Sequence, residues 1–171
     1  MTRAAGCLTV LGLLTAACGS SNTTNPSAAP VVFTEQLLPA NETSVINGGE
    51  TSGSGTAQIT FTTTKDASGT ITSATASFSV SLSGFPSTTN ITISHIHVGA
   101  VGVPGAIVVN TGLASGDVRL TNGAGSFVKQ NISVDPALAT QIINNPAGYY
   151  FNVHSTANPG GVVRGQLVRT Q

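Results

Sequence analysis

The sequence predicts an all-β fold, an antiparallel Greek-key sandwich of two sheets with one short helix. Three observations carry this. Apolar residues alternate with hydroxylated ones through most of the chain after Val31, turn-forming clusters separate the alternating runs, and a single stretch carries a helix-start signal. With 171 residues, the chain is long enough for one domain with its own core.

The first strand is expected at residues 31–38. In the second, Ala57, Ile59 and Phe61 occupy alternate positions. The third is the clearest: Ala74, Ala76, Phe78, Val80 and Leu82 alternate with Thr75, Ser77, Ser79 and Ser81. One face of such a strand suits a core and the other suits water. Lys65-Asp66-Ala67-Ser68-Gly69 is a turn cluster, so the second and third strands form a hairpin. Further strands are expected at 91–98, 106–110, 117–120, 126–132, 149–154 and 162–168. Asp135 is a good helix N-cap, Pro136 fits the first helical position, and residues 137–143 continue the helix until Asn144-Asn145-Pro146 stops it. No internal repeat is present. Strands of this number and spacing suit an immunoglobulin-like or superoxide-dismutase-like sandwich.

The last two strands allow a sharper expectation. With residues 155–161 as their connection, Val153 pairs with Val163, Phe151 with Gly165 and Tyr149 with Leu167, an apolar row for the core. The opposite row then gathers His154, Asn152, Arg164 and Gln166. A slip of one residue would invert both rows, so the pattern selects this register.

Residues 1–17 read as a secretory signal, with Arg3 as the positive start and Leu8 to Leu14 as the apolar stretch, too short for a membrane span of about 20 residues. Leu13-Leu14-Thr15-Ala16-Ala17-Cys18 resembles a bacterial lipobox, which makes Cys18 the lipidation site and residues 18–30 a flexible tether to the folded domain at 31–171. Gly19 after the cysteine resembles enterobacterial lipoproteins sent to the outer membrane. The expected location is therefore the bacterial cell envelope, with a lipid anchor in the membrane. Cys7 lies in the signal, so the mature chain has no second thiol for a disulfide. Charged residues are 7% of the sequence, six basic and six acidic. Without a basic patch or charge run, nothing points to nucleic acid, and no nucleic-acid partner is expected.

Three separated motifs resemble the CHRD (chordin) domain family. Phe33-Thr34-Glu35-Gln36-Leu37-Leu38-Pro39-Ala40-Asn41-Glu42 is similar to its opening, and Ser94-His95-Ile96-His97-Val98-Gly99 to its central motif. Tyr150-Phe151-Asn152-Val153-His154-Ser155 with Asn158-Pro159-Gly160-Gly161-Val162-Val163-Arg164-Gly165-Gln166-Leu167 is similar to its closing motif. The resemblance implies an extracellular or envelope β-sandwich module. Val162 or Val163 stands where the family often has an acidic residue, and Ser155 where Thr is usual. The growth-factor antagonism of chordin itself does not transfer to a bacterial-style lipoprotein.

All three histidines fall in these motifs. His95 and His97, two apart on a strand, share a face, and His154 can join them from another strand to make a three-nitrogen site for copper or zinc. The His-x-His strand of copper–zinc superoxide dismutases is an analogy at the level of the fold, and three histidines cannot supply that enzyme's two-metal ligand set. The competing reading is a structural cluster whose ring nitrogens bond to carbonyls, Glu42 or Asn152. A bulge near Ser94 would turn His95 and His97 outward; a regular strand would bury them beside Ile91 and Ile93. Arg164 has two readings as well, an anion site near the histidines or an ion pair with Glu42. Glu42, Asn152 and Arg164 form the supporting polar set. No catalytic residue can be assigned. The leading expectation is a non-enzymatic binding or structural module with an unknown protein or ligand partner; the alternative is a copper- or zinc-binding envelope protein.

Overall fold

The structure, a computed structural model, describes residues 1–2 and 28–171. All but the first two residues of the signal segment, together with Cys18 and most of the tether expected from the sequence, lie outside the described residues. In chain order the elements are β1 (Val31–Leu37), β2 (Ser54–Lys65), β3 (Ile71–Ser83), β4 (Ile91–Val98), β5 (Ile107–Asn110), β6 (Gly125–Val134), α1 (Pro136–Asn144), β7 (Tyr149–Ser155) and β8 (Val163–Gln166), with short 3-10 turns at Pro39–Asn41, Glu50–Ser52 and Pro146–Gly148. They build two antiparallel four-stranded sheets, ordered β1-β2-β3-β6 and β5-β4-β7-β8. After the β1–β3 meander the chain crosses to β4 and β5, returns to lay β6 beside β3, and crosses again through α1 to β7 and β8.

The alternating rows do what their period requires. Ala57, Ile59, Phe61, Ala76, Phe78 and Val80 of the first sheet meet Ile91, Ile96, Phe151, Val153 and Val163 of the second in one dry core. Phe78 stacks on Phe151 between the sheets, ring centroids 5.7 Å apart. In the β2–β3 turn, the Asp66 carboxylate accepts the backbone N–H groups of Ser68 and Thr70, each at 2.9 Å. Asp135 caps α1 by accepting from the N–H groups of Ala137 and Leu138. The register expected for the last hairpin is the one found, with Val153 opposite Val163 and Phe151 opposite Gly165.

One expected strand is absent. Residues 117–120 carry Val118 into the core, yet they have no ladder partner. They belong to the crossover from β5 to β6, where Asp117 closes a turn by accepting from the Ala114 N–H and pairs with Lys129 at 2.7 Å. Alternation there buries side chains against the end of the sandwich without an adjacent strand.

The two sheets are joined along one edge. Leu38 and Arg164 exchange backbone hydrogen bonds at 3.0 and 3.2 Å, and beyond β8 the chain continues along β1, with the Thr34 N–H donating to the Val168 carbonyl at 2.9 Å. Gly165 makes this crossing possible: a Cβ there would lie 2.6 Å from the Gln36 carbonyl oxygen and 3.0 Å from Glu35 Cβ.

Glu35 shares the core-facing row of β1 with Phe33 and Leu37, and it is 4% exposed. Neither carboxyl oxygen has a hydrogen-bond partner among the described residues. Burial pushes its pKa up to about 9.

Two predictions follow from this edge. Gly165→Ala should destabilise the fold by roughly 1–3 kcal/mol, because backbone blocks the new methyl; equal urea midpoints for variant and parent would contradict the crossing geometry. Glu35 is protonated when folded and ionised when unfolded between pH 4.5 and about 9. Its contribution to stability is therefore fully present below pH 4.5 and declines as pH rises, by up to about 1.4 kcal/mol per unit. Glu35→Leu should remove that slope and raise stability at pH 7, measured as the difference between the two proteins' pH–stability curves.

Candidate functional site

The outer face of the second sheet collects the polar residues. In β4, Ile91 lies opposite Ser155 but Ser94 lies opposite Val153, so the register slips by one residue between them. The slip keeps Ile91, Ser94 and Ile96 toward the core and turns His95 and His97 to the other face. There they join Tyr150, Asn152 and His154 of β7 and Arg164 of β8. The bulge thus takes the histidines off the core, and yet they stay buried: His95, His97 and His154 are 2%, 8% and 5% exposed.

Three irregular segments close over this face. From residues 99–105, the Gly105 carbonyl accepts from His97 Nδ1 at 2.9 Å, and the Ala100 and Val103 carbonyls accept from the Arg164 guanidinium at 2.8 and 3.0 Å. From residues 155–161, the Pro159 carbonyl accepts from His154 Nδ1 at 2.8 Å. From the segment after β1, Asn41 donates to the Arg164 carbonyl at 2.9 Å, and Glu42 lies beside the side chain of Asn152. The last two segments are also tied to each other. Glu50, 2% exposed, accepts from Ser155 Oγ at 2.5 Å and from Asn158 Nδ2 at 2.6 Å, while Asn158 Oδ1 accepts the Asn47 N–H at 2.8 Å.

Tyr150 organises one half of the layer. Because β7 lies between β4 and β8, its ring is packed from both sides. His97 stacks on it at 4.8 Å with a 5° interplanar angle, and the Arg164 guanidinium carbon sits 3.3 Å from its centroid. A buried cation over an aromatic face is stabilised by the ring quadrupole.

Carbonyls can only accept, so Nδ1 of both His97 and His154 carries the proton, and neutral rings then present bare lone pairs at Nε2. His95 Nδ1, 3.2 Å from His154 Nε2, is accordingly the donor in that contact. Burial, followed by the charges of His154 and His97, lowers the His95 pKa to about 4. The His154 pKa is lowered by burial, against the Pro159 hydrogen bond. Glu42 is raised to about 7 by burial, against the positive charge of Arg164 and the Asn152 side chain.

The residues singled out from the sequence are therefore gathered here, with one correction. Arg164 does not form an ion pair with Glu42; Asp117–Lys129 is the salt bridge found among the described residues. The guanidinium satisfies itself on two loop carbonyls and Tyr150, and it acts on Glu42 only at a distance. Tyr150, Glu50 and Asn158 were missed as members. Tyr150 was open to the same period-two count that placed Asn152 and His154, whereas Glu50 lies in a segment with no period to read.

Lysine cannot reproduce a planar guanidinium that bridges two carbonyls while stacking on a ring. Arg164→Lys should cost about 2 kcal/mol through unsatisfied buried acceptors, read from chemical denaturation; a loss under about 0.5 kcal/mol would contradict this role.

No curated protein and no solved structure matches the chain. The family model of the CHRD domain matches residues 33–167, a span that begins in β1 and ends just beyond β8 and contains every side chain of the polar layer. The chain belongs to the CHRD domain family.

Proposed function

We propose that this protein is a non-enzymatic binding or structural module that a lipid on Cys18 holds at the bacterial cell envelope. Family membership supports the module reading. The observation that carries it is the use made of the polar side chains. His97, His154, Arg164, Gln166, Glu50 and Asn158 all spend hydrogen bonds on loop backbone or on one another, and all but Gln166 are buried. Such groups fix the shape of the loops, which is what a presenting scaffold requires, and buried hydrogen-bonded side chains make a structure rigid. The lipobox-like sequence Leu13-Leu14-Thr15-Ala16-Ala17-Cys18 supports the anchor.

The anchor is tested by expressing the full chain with radiolabelled palmitate in a bacterial host. The parent should incorporate label and sediment with membranes, and Cys18→Ser should do neither. Equal membrane association of the two proteins would remove the lipid from this reading.

A further inference from the structure

The histidine cluster has more lone pairs than protons. His97 and His154 commit their Nδ1 protons to the carbonyls of Gly105 and Pro159. His97 Nε2 is buried and has no hydrogen-bond partner among the described residues. Asn152 Oδ1, a further acceptor, lies 3.0 Å from His154 Nε2, while the amide nitrogen of Asn152 faces Glu42. The His95 Nδ1 proton is the one donor found between these atoms. Leaving acceptors buried and unpaired costs free energy, and a cation at their centre would recover it.

The geometry matches one ion. One ring nitrogen from each of His95, His97 and His154 lies within 4.8 Å of the other two. Two nitrogens bound tetrahedrally to an ion at about 2.0–2.1 Å are about 3.3 Å apart; His95 Nδ1 and His154 Nε2 are separated by 3.2 Å. From 4.8 Å to that spacing, the widest gap must close by at most about 1.5 Å. The carbonyl-held Nδ1–H groups are also the outer contacts that orient ligating imidazoles and fix their tautomer.

We propose that His95, His97 and His154 bind one copper or zinc ion, with Asn152 Oδ1 beside it as an oxygen donor. Neutral imidazole suits both metals. His95 becomes a ligand through Nδ1 by moving its proton to Nε2.

The test is titration of the full chain, carrying Cys7→Ser and Cys18→Ser so that no thiol competes, with Zn(II), Cu(II) and, under reducing conditions, Cu(I). One ion per chain should bind with micromolar or tighter affinity for at least one of these, and should raise the melting temperature. His97→Asn and His154→Asn keep an amide N–H for the loop carbonyl and lose the ligand atom. Each should weaken binding beyond the roughly 10–100-fold that loss of a merely supporting residue costs. Nitrogen-15 NMR of the parent's imidazoles reports the same event without a variant, as movement of the His97 and His154 Nε2 resonances on adding Zn(II) or Cu(I), or as their paramagnetic loss on adding Cu(II). Failure of all three ions to bind below millimolar, affinity unchanged in both variants, or imidazole resonances that stay still would each overturn the site.

Discussion

A guanidinium withdrawn from water has to find acceptors, and Arg164 finds them on a loop. Its donors reach the Ala100 and Val103 carbonyls and its plane rests on Tyr150, so the chain after β4 cannot leave the sheet. The same loop brings the Gly105 carbonyl to His97. Its position follows from polar groups on the strands beneath it. The second sheet therefore has two buried faces, one dry and one polar, held by different physics. Apolar area stabilises the first without regard to direction, whereas each contact of the second has a donor, an acceptor and an angle.

Glu35, on β1 of the first sheet, shows what happens when a polar group is turned toward the dry core instead. Asn152 and His154 are as buried as Glu35, but they point at partners; Glu35 points among Phe33, Leu37 and the crossing at Gly165 and stays protonated. Glu50, equally deep, meets Ser155 and Asn158. Burial alone therefore does not set the energetic outcome for these carboxyl groups. The segment that supplies the partner does.

Much of this architecture was legible from residue order. Period-two alternation located the strands, and the apolar pairs Val153–Val163 and Phe151–Gly165 picked out one hairpin register. The same count put Asn152, His154 and Arg164 on one face. What lay over that face could not be read, because alternation reports which side chains share a surface and says nothing of what covers it. Residues 99–105 carry three glycines, and their side chains are uninformative, since their carbonyls form the contacts. The slip in β4 was ambiguous for a related reason. Ile91, Ile93, His95 and His97 have the same parity, and only pairing with β7 shows that the chain takes three residues from Ile91 to Ser94 to regain the core. Residues 117–120 misled the count because a crossover can bury Val118 as well as a strand can.

The edge formed by β1 and the end of the chain has a mechanical meaning. The Val32 N–H donates to the Gln171 carbonyl, and the Thr170 N–H donates back to the Val32 carbonyl, so the start of the first strand and the last residue leave from one rim. A load applied between those two points would open the rungs one after another, like a zip, because only the outermost pair carries the force at any moment. A polypeptide appended after Gln171 would emerge beside the segment leading to Val31, leaving the loops around Glu42 and Gly161 unobstructed at the far pole.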